Sequence, residues 1–175
     1  ELNWPSNQPF HIPDEVYDHF QKISKERSQF CSQWEQKSKK IFNENPELKE
    51  RWNNAHQLKT DQDVLENLSS WKKGEDQPTR KSSGAILNQI AAKTPWLVGG
   101  DADLSCSTNT LIKESSDFNG QHPEGKNIRY GVREHAMAAI ANGICYHGGL
   151  RPFVATFFCF SDYMKPALRL AAMNH

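Results

Sequence analysis

The stretch Asn127–Tyr163, NIRYGVREHAMAAIANGICYHGGLRPFVATFFCFSDY, decides the fold. Asn127 to Tyr130 reads as a short strand. Ala136, Met137, Ala139, Ile140 and Ile144 then recur at helical spacing and predict a helix over about Arg133–His147. Phe153–Phe158 returns to an apolar strand, and a last helix follows, in which Pro166 would disrupt the ladder unless the start is kinked or delayed. Strands alternating with helices argue for a parallel α/β sheet, in which ligands sit beyond the carboxyl ends of the strands. Gly131–Glu134 and Phe157–Tyr163 fall at such ends, as does Asp101–Ser107 upstream.

Toward the N-terminus, Lys81–Ala92 reads as a helix with Ile86, Leu87 and Ile90 inward, stopped by Pro95. Trp96–Val98 is predicted as a short buried strand, with Gly99 and Gly100 in a turn after it. Near residue 80 the composition shifts from Lys- and Glu-rich to Gly-, Ala- and apolar-rich, so a boundary is placed there, giving segments 1–78 and 79–175. The opening run NWPSNQPFHIP has three prolines in eleven residues and is expected to be extended. A helix from Asp14 follows, with Val16, Phe20, Ile23, Phe30, Trp34 and Ile41 on one stripe that needs a surface to dock against. A second helix is predicted over Pro46–His56, with Pro46 suited to the first helical position. A third covers about Thr60–Trp71, with Thr60 and Asp63 spaced as a capping box, and Lys73–Gly74 ending it.

The 175 residues are 37% hydrophobic, adequate for a buried core, and carry 21 basic and 21 acidic side chains. That balance provides no field of one sign to steer the chain to nucleic acid or an anionic membrane, so any phosphate must be gripped locally. Cys31, Cys106, Cys145 and Cys159 form no zinc-ligand spacing and are expected to be reduced thiols. No apolar run approaches the roughly twenty residues that cross a bilayer, and no signal-peptide pattern opens the chain. A cytoplasmic protein is therefore expected. Starting on Glu1 and stopping at His175 after an apolar helical run, the chain is read as the middle segment of a longer one.

Glu134 is placed at a semi-buried helix N-terminus, where a carboxylate stabilises its helix by about 0.3–1 kcal/mol. Alone it would be an ordinary first-turn acid, just as Phe157, Phe160 and Tyr163 alone would be core packing. Together, in one order along one sheet edge, a carboxylate and a cluster of aromatics suit a flat, ionisable heterocycle: the rings stack on it while the acid reaches a ring nitrogen.

The runs LVGGDADLSCSTNT, IRYGVREHAMAAIANGICYHGG and TFFCFSDYMKPALRLAAM closely resemble the pyrimidine-binding domain of the transketolase family. NWPSNQPFHIP and the first helices resemble the arm that leads into that domain, so the resemblance covers essentially the whole chain. It implies a thiamine-diphosphate-binding fold, incomplete here, preceded by a helical arm. It also implies transfer of a two-carbon ketol group from a ketose phosphate to an aldose phosphate, in the pentose phosphate pathway, by a homodimer that uses thiamine diphosphate and Mg2+. Glu134 matches the family's glutamate that hydrogen-bonds N1′ of the aminopyrimidine and promotes removal of the thiazolium C2 proton. Phe160 matches the aromatic on the pyrimidine, with Phe157 and Tyr163 completing the pocket, and Asp103 is a cofactor-side or subunit-contact residue. Arg80 and Ser107 match residues that hold the terminal phosphate of the sugar, for which a guanidinium fork is well shaped. His135 is assigned to packing, and GEDQPTR at Gly74–Arg80, an echo of a motif found elsewhere in the family, is given no role.

No metal ligand is assigned in this chain. The family's GDG motif, which holds the magnesium diphosphate together with a downstream asparagine, does not occur in it, and the segment alone is expected to be inactive. Related readings are dihydroxyacetone synthase, another thiamine-diphosphate enzyme such as deoxyxylulose phosphate synthase, or a non-catalytic interaction subunit of transketolase type. The VREHAM run tells against the synthase of deoxyxylulose phosphate.

Overall fold

Packing, rather than local preference, sets the strand boundaries in the computed structural model, which describes residues 4, 6–57, 62–69, 74 and 76–174. The chain divides into two compact units, Glu1–Glu50 and Arg51–His175.

In the first unit, the opening run is not uniformly extended: the amide of His11 reaches back to the carbonyl of Gln8, and Phe10 takes a left-handed φ of 60°. Helix α1 (Asp14–Glu44) then runs for 31 residues from Pro13, with Asp14 and Glu15 in its first turn where the helix dipole favours acids. None of its residues is buried, and Phe20 and Phe30 are largely exposed. Asn45 separates α1 from α2 (Pro46–His56), whose bounds are those the sequence indicates. Its Oδ1 accepts the amide of Leu48 at 3.1 Å, the side-chain cap that a helix start needs.

The second unit holds the sheet. Helix α3 spans only Gln62–Glu66, shorter than the expected third helix. Thr60, Trp71 and Lys73 lie outside the described residues, and so does the capping box. Helix α4 (Thr79–Lys93) leads into β1 (Leu97–Asp101), followed by the single turn α5 (Ser105–Thr108), β2 (Asn127–Arg129), α6 (Glu134–His147), β3 (Arg151–Ala155) and α7 (Ser161–Asn174). The three strands are parallel, in the order β2-β1-β3, with Gly100 opposite Ile128 on one side and Val154 on the other.

Both faces of the sheet are covered, as parallel sheets require. Leu87, Ile90 and Ala91 of α4 pack with Leu97, Ile112 and Phe153. Met137 of α6 and Met164 of α7 pack with Ala102, Ile128, Tyr130 and Val154. Adjacent Phe153 and Val154 thus serve opposite faces, in the two-residue alternation of a strand.

Three expected boundaries shift. Gly99 and Gly100 belong to β1 rather than to a turn, and every residue of that strand is buried. The reason is close approach: a Cβ on Gly100 would collide with the backbone carbonyl oxygen of Ile128 in β2. Strand β3 ends at Ala155, not Phe158, because residues 158–160 turn as a 3-10 helix, closed by the amide of Phe160 on the carbonyl of Phe157 at 2.9 Å. Helix α7 does begin at Ser161 with Pro166 inside it. Proline there removes the bond to the Asp162 carbonyl and sets its ring against that carbonyl, a local cost that the helix absorbs one turn after its start.

The long connection between β1 and β2 is pinned by side chains. Buried Asn127 accepts the amide of Ile112 and donates to the carbonyls of Ile112 and Ser115, each at 2.9 Å. Lys126 Nζ donates to the carbonyls of Ala91 and Thr94 at the end of α4, and its partial burial holds the ammonium below the usual lysine range. Among the described residues no helix is long and apolar enough to cross a membrane.

Two substitutions test this packing. Gly100→Ala should lower stability by about 1–3 kcal/mol, since the obstructing atoms are backbone and cannot rotate away. Asn127→Ala strands the two buried backbone groups of Ile112 and the part-buried carbonyl of Ser115 and should cost at least about 2 kcal/mol. Urea unfolding midpoints check both, and a wild-type midpoint for either would contradict the register described.

Candidate active site

Three connections meet at the carboxyl edge of the sheet. After β1, the buried carboxylate of Asp101 folds the loop over itself: Oδ1 accepts the amide of Leu104 at 2.6 Å and Oδ2 accepts the hydroxyl of Thr110 at 3.1 Å. Thr108 and Thr110 share a hydroxyl contact of 2.7 Å, so the segment carrying Ser107 is tied down from both sides. Asp103 has a φ of 64°, a region acidic and amide side chains tolerate better than most, and is exposed.

After β2, Gly131 takes a φ of 69°, letting the chain turn sharply from the strand into α6. Glu134 is the first residue of α6 and only 7% exposed. Its Oε1 accepts the hydroxyl of Thr156 at 3.3 Å. No other hydrogen bond to this carboxylate is made among the described residues. The helix N-terminus supplies the remaining favourable field. Neighbouring Tyr130 is buried, its hydroxyl has no partner among the described residues, and burial pushes that phenol above the usual tyrosine range. His135, assigned to packing by the sequence, is instead exposed.

After β3, the aromatics line a turn. Phe157 and Phe160 stack with centroids 5.9 Å apart and planes 15° from parallel, and Tyr163 lies 6.4 Å beyond Phe160 at 32°. They are not core residues: Phe157 is 39%, Phe160 36% and Tyr163 65% exposed. Large rings left open on a rigid turn present a stacking surface.

A cleft of about 440 Å³ opens beside this turn, lined by Arg80 from the first turn of α4, Ser107 and Thr108 from α5, and Thr156, Phe157 and Phe158. The two residues matched to phosphate binding therefore face one space together with Phe157. Glu134 does not line it, but is joined to it through Thr156. Asp103 makes no contact with it. Thr156 was the residue passed over in the sequence: it opens the TFFCFSDY run, yet nothing local reveals that its hydroxyl meets an acid 22 positions earlier.

Among the described residues no group of three or more His, Cys, Asp or Glu could hold a metal ion. All four cysteines are free thiols.

The family model described as "Transketolase, pyrimidine binding domain" matches residues 75–175. The transketolase of Bacillus subtilis is 43% identical over 171 residues, covering 97% of this chain and 26% of that protein. The transketolase of Aquifex aeolicus is 39% identical over 173 residues, covering 99% of this chain and 25% of that one. Among solved structures, transketolase from Leishmania mexicana superposes with a TM-score of 0.81 at 32% identity, covering 97% of this chain and 25% of that chain. The Pichia stipitis enzyme in complex with sedoheptulose 7-phosphate gives 0.77 at 31% identity, covering 95% and 26%. The chain thus spans about a quarter of the length of the curated relatives it matches. With the whole sheet, its edge and its covering helices inside the matched region, the chain belongs to the transketolase pyrimidine-binding domain family.

Proposed function

We propose that this chain forms the aminopyrimidine-facing side of a transketolase active site, in a protein that moves a two-carbon ketol unit from a ketose phosphate to an aldose phosphate in the pentose phosphate pathway. The observation that carries the reading is a buried carboxylate, Glu134, with one oxygen held by Thr156 and the other without a hydrogen-bond partner among the described residues, beside an exposed aromatic turn. An ionisable ring fits such a place, because it offers a flat face to Phe160 and a protonatable nitrogen to the acid. Thiamine diphosphate, when bound, supplies the thiazolium that accepts the carbon–carbon bond electrons.

Each residue then has a task. Glu134 holds a proton at N1′ of the ring, and its burial makes that hydrogen bond stronger than it would be in water. Phe160 stacks on the ring, with Phe157 and Tyr163 bounding the pocket, and Asp103 contacts the cofactor side or a second subunit. Arg80 and Ser107 bind the terminal phosphate of the sugar in the cleft they share, the guanidinium taking two oxygens at once. A solved relative carrying sedoheptulose 7-phosphate supports a phosphorylated sugar as ligand. The ligands of Mg2+ and of the diphosphate are taken to lie outside this chain, and ketol transfer by residues 1–175 alone is not expected.

Within this reading, residues 1–78 form a helical arm and residues 79–175 the N-terminal part of the pyrimidine-binding domain. The working protein is a cytoplasmic homodimer, in which the second subunit covers the cofactor's diphosphate end.

Glu134→Gln in the full-length protein should slow exchange of the thiazolium C2 proton by about a hundredfold, the low end for loss of an acid–base group. Proton exchange followed by NMR checks this, and an unchanged rate would remove Glu134 from the assigned role.

A further inference from the structure

Resting on the reading of Glu134 above, we propose that Thr156 is a positioning residue for the same reaction: its hydroxyl fixes the Glu134 carboxylate so that one chosen oxygen meets the cofactor ring. A glutamate's last torsion is broad and nearly two-fold, so burial alone does not decide which oxygen faces where. A single directed hydrogen bond does. Here that bond is the one from Thr156 Oγ1 to Oε1, and no second donor to the carboxylate exists among the described residues.

Thr156 is itself well fixed. It directly follows Ala155, the last residue of β3, which pairs with Asp101 of the central strand and accepts the amide of Ala102 at 3.2 Å. A β-branched side chain in such backbone has few χ1 choices, so its hydroxyl direction is set at small entropic cost. The charge logic agrees. A hydroxyl that donates to Oε1 favours that oxygen as the unprotonated one, leaving the other oxygen to carry the proton shared with a ring nitrogen. The next residue, Phe157, begins the aromatic turn and stacks on Phe160. One short piece of backbone therefore sets both the orientation of the acid and the place of the stacking face.

The role differs from that of Arg80 and Ser107, although all three side chains line the same cleft. Thr156 acts through the carboxylate rather than on the sugar phosphate. Thr156→Val keeps the shape and removes the donor, and Thr156→Ser keeps the donor.

The test uses the full-length protein with Mg2+ and thiamine diphosphate, in four forms: Thr156→Val, Thr156→Ser, Glu134→Gln and the double variant T156V/E134Q. Calorimetric titration gives the affinity for thiamine diphosphate, and steady-state kinetics separates kcat from KM. Thr156→Val should lower kcat about tenfold and weaken thiamine diphosphate binding several-fold, the low end for a hydrogen bond to a charged group, with KM for the sugar phosphate unchanged. Thr156→Ser should restore both to within about twofold. In the Glu134→Gln background, Thr156→Val should add no further loss, because the group it acts through is already altered. Wild-type affinity and kcat in Thr156→Val, with Glu134→Gln still impaired, would overturn the positioning role and leave the reading of Glu134 standing. So would a fully additive loss in the double variant. A Glu134→Gln protein equal to wild type in both measurements would overturn the parent reading and this inference with it.

Discussion

Parallel pairing on both sides of β1 is the constraint from which the rest follows. A five-residue strand flanked by β2 and β3 in the same direction delivers three chain segments to one edge of the sheet. The pairing is tight enough that Gly100 leaves no room for a Cβ against Ile128. Because strand direction is shared, the loops that follow the strands are neighbours whatever their separation in sequence. Candidate residues from three distant stretches, around positions 103–107, 131–134 and 156–163, thereby meet at one edge.

Sheet pairing brings the loops together, but buried polar side chains give them their shape. Asp101 folds the segment after β1 by accepting one backbone amide and one hydroxyl. Asn127 holds the long excursion before β2 with three backbone bonds. Each of these groups is costly to bury unless paired, and each is paired. Tyr130 and Glu134 are the exceptions at this edge: among the described residues the buried phenol has no hydrogen-bond partner, and the buried carboxylate has one, Thr156.

Much of this was readable in the sequence, for a definite reason: periodicity survives in long elements. Helix α2 matches its expected bounds, and α4 and α6 differ from theirs by one or two residues. Gly99 and Gly100 were misread as a turn, since glycine is the strongest local turn signal. What keeps them in β1 is the nearness of a neighbouring strand, a fact with no local trace. The apolar run after Arg151 looked like strand through Phe158, but the turn at Phe157–Phe160 is closed by its own backbone bond. At the edge of the sheet, Arg80 and Ser107 were identified from motif resemblance, and the cleft they share with Phe157 was not visible in spacing. Thr156 was missed outright, because a hydroxyl becomes meaningful only when the fold sets it beside an acid.

The functional account reduces to one arrangement, in which a carboxylate held from one side by Thr156 offers its free oxygen to a ring lying against Phe160. The most direct measurement is a crystal structure of the full-length protein with thiamine diphosphate and Mg2+. The account predicts the aminopyrimidine ring on the face of Phe160, with N1′ at about 2.6–3.0 Å from a Glu134 oxygen, ordinary hydrogen-bond range. A cofactor ring bound elsewhere, or one whose N1′ is held by a different residue, would contradict it.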